Sequence, residues 1–211
     1  MPDAVANGLV VSVALPPGWW ELPVLADEPD KEVAALVDRR LSRAPEVADR
    51  RDELIAALTT AVAEARLVGA VFCAQIGIVG QETSFAASFV VAVREMEGLE
   101  GLRGLDRLAA GVEALPGPDG LAERHVSVVE VKLGRLGDGV RRQAIRQAPD
   151  RLDTLNVAYY FPLAVGPYVV MVNASSPNVA EVPELLVLFD RIVGEIDVVA
   201  APPEAEVEPP A

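Results

Sequence analysis

A chain of 211 residues that is 51% hydrophobic and 24% charged reads as globular, and it is long enough to bury a full core without disulfide or metal staples. Its formal net charge of −14 at pH 7 repels phosphate backbones and sets nucleic-acid binding aside. A single cysteine, Cys73, and a single histidine, His125, leave no disulfide framework and no zinc site of the usual kind, and fit a reducing, cytoplasmic setting.

In chain order, Asp3 stands where the basic start of a signal peptide would want Lys or Arg, so none is expected. Residues 8–15 predict a first strand, stopped by Pro16-Pro17-Gly18, with a short extended segment over 19–23. Asp27, Glu28 and Asp30 around Pro29 open a helix that runs to about residue 43 along Val33, Leu36, Val37 and Leu41. Pro45 starts a longer helix to about residue 67, with Val47, Leu54, Ile55, Leu58, Val62 and Ala65 on one stripe.

Strict alternation then predicts strands over 70–79 and 84–93, joined by a turn at 80–83. A loop at 98–104 carries glycines with no phosphate-binding spacing, a helix covers 102–115, and 116–120 is a strong loop signal. Residues 124–133 and 139–147 form a hairpin. Its second arm is polar and reads as an edge or one-sided strand, guarded by its charges against sheet-to-sheet pairing. Ala148 to Thr154 then connects to the next strand.

The stretch from Leu155 to Ile196 is the clearest local structure. Two strands meet at Val165-Gly166-Pro167, and both carry apolar residues on both faces, which predicts central strands covered by helices. A helix follows along Val182, Leu185, Leu186, Phe189, Ile192, Val193 and Ile196, with Pro183 in its first turn and Asn178 and Glu181 at capping-box spacing. Residues 154–180 are uncharged, but their prolines, Gly166 and Asn173 break them into strands and turns rather than a membrane span. A short last strand is expected over 197–199, and a Pro/Glu-rich tail over 201–211 reads as disordered. Short turns between neighbouring strands predict a mainly antiparallel sheet covered by helices, an α+β fold of α/β/α sandwich type, forming a single domain over 1–200.

Few residues offer chemistry. His125 has no nucleophile beside it and reads as a surface histidine. Cys73 reads as a buried, inert thiol. The acidic runs have no calcium-loop spacing, and no catalytic, cofactor or metal residue is assigned. The candidates for partner binding are Trp19 and Trp20, of which only one can enter a given core, and the basic cluster Lys132, Arg135, Arg141, Arg142 and Arg146. That cluster reads either as a charged hairpin paired with its acidic neighbours or as a patch for an anion or acidic partner.

The strand running into Leu15-Pro16-Pro17-Gly18-Trp19, the strand series, and the ending Ser176-Pro177 with Phe189 to Ile196 resemble the PsbP-like superfamily. More closely, the start resembles that of actinobacterial proteins that open on the same Leu-Pro-Pro-Gly-Trp. The chain departs from the superfamily in a helical insertion at about 30–67. The resemblance implies an α/β/α sandwich and a non-enzymatic accessory role in a larger assembly such as a photosystem, a small GTPase complex or a secretion system. The expectation is therefore a cytoplasmic, non-catalytic binding protein whose partner is another protein. A carrier of a small apolar ligand is the alternative, and an enzyme comes last.

Overall fold

The computed structural model describes residues 3–6, 8–43, 45–79, 84–95, 105–115, 122–147, 152–164 and 167–201. Outside them lie the turn at 80–83, the loops at 98–104 and 116–120, most of the 148–154 connection, residues 165 and 166, and the tail from 202.

The N-terminal stretch departs from the single strand expected over 8–15. It forms two short strands, β1 (Asp3–Ala6) and β2 (Leu9–Ser12). Next come β3 (Trp20–Glu21), α1 (Pro29–Leu41) and, after a 3-10 turn at Pro45–Arg50, α2 (Arg51–Leu67). The long strands are β4 (Ala70–Val79), β5 (Ser84–Glu95), β6 (Ala122–Leu133) and β7 (Gly137–Gln147), with α3 (Leu105–Glu113) between β5 and β6. The chain ends with β8 (Thr154–Pro162), β9 (Tyr168–Ser176), α4 (Val182–Gly194) and β10 (Asp197–Ala200).

Seven strands pair antiparallel in the order β3-β4-β5-β9-β8-β7-β6, so the fold is α+β around one large antiparallel sheet. A second sheet, β1-β2-β10, was not anticipated. Its outer strands are four residues each, so the β2 ladder ends at Ser12 and the chain crosses to the large sheet.

The main core lies on one face of the large sheet. Phe89, Val91, Val172, Val157, Tyr159 and Phe161 meet Leu185, Phe189, Ile192 and Val193 of α4, and Leu9, Val11 and Val13 around β2 join the same cluster. Each large side chain buried here stabilises by about 2–3 kcal/mol. On the other face α1 and α2 pack over Ala70, Cys73 and Val90, and α3 packs over Val140, Val128 and Tyr160. The helical insertion is thus a covering layer, tied internally by Arg51, which donates to both carboxylate oxygens of Asp38 at 2.7 and 3.0 Å. The uncharged run at 154–180 folds as β8, β9 and the turn after them, and no described helix is long and apolar enough to cross a membrane.

Two local expectations are corrected. The polar arm β7 is not an edge strand: it is paired on both sides, and β6 forms the edge. The capping box at Asn178 and Glu181 does not form. A 3-10 turn over Val179–Glu181 precedes α4, whose cap Glu181 makes no side-chain hydrogen bond. Asn178 serves the sheet instead, its Oδ1 accepting the Ala86 N–H at 3.0 Å, while Ser176 Oγ donates to the Ala86 carbonyl at 2.6 Å. The turn after β9 is thereby stitched to β5, which fixes where α4 begins its descent across the core.

Candidate functional site

Successive residues of a strand face opposite ways, so ladder register decides which side chains share a row. On the face away from α4, the register aligns Trp20, Gln75, Ser88, Ser175, Asn156 and Ala144 across β3, β4, β5, β9, β8 and β7. At ~4.8 Å between neighbouring strands, the row is about 24 Å long. The adjacent row holds Cys73, Val90, Asn173, Ala158 and Arg142.

The helices cover the two flanks of this face and not its middle. Cys73 and Val90 belong to the α1/α2 cluster, whereas Val140 and Tyr160 belong to the α3 cluster. Ala158 and Met171, between them, join neither. Ser88, Ser175 and Asn156 are half-buried, and Asn173 is exposed at the centre. A strip of hydroxyl and amide groups is left between two apolar clusters.

One end of the strip is charged. Glu123 on β6 receives Arg142 Nη2 at 2.5 Å and Arg146 Nε at 3.0 Å, and its side chain is only 9% exposed. Hydrogen bonding to Arg142 holds its carboxyl below the usual carboxylate range, outweighing the opposing effect of burial. Arg146 Nη1 also donates to Asn156 Oδ1 at 3.1 Å, which joins the ion cluster to the row. Two guanidinium groups on one carboxylate leave one positive charge in excess. Arg142 Nε is buried and has no hydrogen-bond partner among the described residues. Midway along the row, the Ser88 and Ser175 hydroxyls lie 2.7 Å apart. At the far end Arg40 lies over the Trp20 ring, 5.5 Å from its centroid. Its Nη2 donates to the Trp19 carbonyl at 2.6 Å.

The sequence candidates are therefore divided among four places. Trp20 at one end and Arg142 and Arg146 at the other share this face. Trp19 does not: pairing of Trp20 with Gln75 turns the preceding side chain inward, where Trp19 is 5% exposed and edge-on to Phe89. Its ring belongs to the core and presents no surface to a partner. Arg141 lies on the opposite face, where Asp190 of α4 accepts from it at 2.6 Å and from the Tyr159 hydroxyl at 2.7 Å. Lys132 and Arg135 sit at the exposed end of the β6–β7 hairpin, paired with Asp138 and Asp197. All five basic candidates thus have an acidic partner within the chain.

His125 is exposed, with φ 53°, at the irregularity in the β6–β7 pairing between Arg124 and Ser127. Among the described residues no group of three or more His, Cys, Asp or Glu side chains is placed to hold a metal ion. Cys73 is buried beneath α2, and burial pushes its thiol up to about 12. Native protein should therefore leave Ellman's reagent uncoloured at pH 8, whereas protein unfolded in guanidinium should release close to one equivalent. Rapid native labelling would contradict the buried placement.

Sequence reasoning missed Gln75, Ser88, Asn156, Asn173 and Ser175. A signal was present: Asn156, Asn173 and Ser175 are polar residues within strands that are mostly apolar on both faces.

No protein-family model matches the chain, and no curated protein matches it. Among solved structures the chain is similar to LpqN, a protein involved in cell envelope biogenesis of Mycobacterium tuberculosis. The two are 10% identical over 92% of this chain and 86% of that one, with a TM-score of 0.45. A likeness that distant does not bear on function.

Proposed function

We propose that the protein is a non-catalytic binding module that holds a partner protein on the polar strip of its second face. The observation that carries this reading is the row of half-buried hydroxyl and amide groups between two helix clusters, with an excess positive charge at the Glu123–Arg142–Arg146 end. Such groups bind without reacting. Ser88 is bonded to another serine rather than to a base, so neither hydroxyl is activated as a nucleophile. The same polar floor favours a polar partner over the apolar-ligand carrier, which would need an apolar lining. An accessory role in a cytoplasmic assembly, including one of secretion type, is in keeping with the PsbP-like resemblance of the sequence.

A photo-crosslinking residue placed at Asn173, at the exposed centre of the strip, tests this. A second placed at Glu64, on the exposed side of α2, is the control. Irradiation in the native lysate should give a discrete adduct from position 173 and none from 64. Equal labelling from both positions would remove this face from the reading.

A further inference from the structure

Resting on that reading, we infer that the occupant of the strip is an extended peptide segment of the partner with acidic side chains near both ends. The inference starts from the shape of the row. The row runs about 24 Å across six twisted strands, from Trp20, which packs against the α1/α2 cluster, to the buried Ala144; that span is too long for one small molecule and equals about seven residues of extended chain at ~3.3 Å each. The middle of the row offers uncharged groups, Gln75, Ser88, Ser175 and Asn156, with Asn173 beside them. These can donate to peptide carbonyls and accept from peptide N–H groups, as an extended main chain requires.

Charge then selects the side chains at the ends. Arg146, with Arg142 behind it, shares one carboxylate and carries the excess charge at one end. Arg40, stacked on Trp20, stands at the other. Glu21 does not cancel it: Glu21 pairs with Ala74, a residue of the main core, and so belongs to the opposite face. Cationic groups at both ends of an uncharged row fit carboxylates about six residues apart. The chain's overall charge of −14 does not oppose this at physiological ionic strength, where exposed charges separated by more than about 8 Å are largely screened.

The test is a nuclear magnetic resonance titration of the full ¹⁵N-labelled chain. The probe is a capped heptapeptide with glutamate at each end and five serines between; its counterpart carries lysine at each end. The Glu probe should shift the Trp20 indole N–H and the side-chain NH₂ groups of Gln75, Asn156 and Asn173 together and saturably. The Lys probe should shift them little at equal concentration. Asn173→Asp, an exposed substitution that adds a negative charge to the strip, should weaken the Glu probe about tenfold, equivalent to ~1.4 kcal/mol. Equal response to both probes, shifts confined to other residues, or no shift at all would overturn the acidic-peptide assignment. If position 173 still crosslinks a partner while the Glu probe fails, the binding face stands and only the occupant class falls. If neither succeeds, both fall.

Discussion

Replacing Gly134 by alanine should destabilise the protein by about 3 kcal/mol, read as a lower urea midpoint with an unchanged slope. Gly134 opens the turn between β6 and β7 with φ 50°, a left-handed conformation that costs a side-chain-bearing residue about 1 kcal/mol or more. The larger cost is steric. A Cβ built at Gly134 falls onto the carbonyl oxygen of Gly194, the last residue of α4, and lies 2.8 Å from its Cα. Both atoms are backbone, so no rotamer change relieves the clash; the hairpin or the helix end must move. Neither is free to do so. Leu136 of the same turn is buried in the main core, and Arg135 is paired with Asp197 immediately beyond α4. The contact is asymmetric, which provides a matched control. A Cβ at Gly194 meets nothing closer than the Gly134 nitrogen at 3.9 Å, an ordinary van der Waals distance. Gly194→Ala should therefore be neutral or stabilise by up to about 1 kcal/mol, since alanine is the better helix former. Equal effects from the two substitutions would mean that the hairpin does not rest on the helix end as described.

This contact also shows where the sequence becomes hard to read. Period-two alternation locates β4 at 70–79 without error, because Phe72, Ala74 and Ile76 must all enter one core. The same logic finds β5, β8, β9 and the stripe of α4, and two apolar faces correctly place β8 and β9 inside the sheet. Strand order is different. That β9 lies beside β5 follows from pairs such as Ser88 with Ser175, far apart in the chain, and nothing local encodes it. The four-residue strands of the small sheet are too short for any period to emerge. The polar strip was hidden for a related reason. Arg141 and Arg142 are neighbours in sequence and read as one basic cluster, yet alternation sends them to opposite faces. The carboxylate that receives Arg142 and Arg146 is Glu123, across the hairpin, and register alone brings it there. Asn156, Asn173, Ser88 and Ser175 are scattered along the sequence, and only the ladders align them.

Glu123→Ala should be among the most damaging single changes outside the apolar core, costing about 3–5 kcal/mol. Pairing two arginines with one buried carboxylate contributes little by itself, because removing the ions from water offsets much of their attraction. Taking the carboxylate away is another matter: the side chain of Arg142 is 10% exposed, and it would keep its charge with no counter-ion and with Nε already unpartnered. Glu123→Gln keeps shape and an acceptor oxygen, so it should cost less and separates charge from packing. Acid titration gives an independent readout with a definite sign. Hydrogen bonding to Arg142 lowers the folded carboxyl below its ordinary value of 4.5. The stabilisation from this group is therefore complete above that value and is lost as pH falls through the lower folded one. Wild-type protein should lose stability more steeply than Glu123→Gln below about pH 4.5, and the two curves should run parallel from pH 5 to 7. Parallel curves throughout would show that Glu123 ionises no differently in the folded chain, and the cluster would then not hold the positive charge at this end of the strip. The same variants report on binding: losing the shared carboxylate adds positive charge at that end, so Glu123→Gln should retain or strengthen the hold on an acidic segment while the fold weakens.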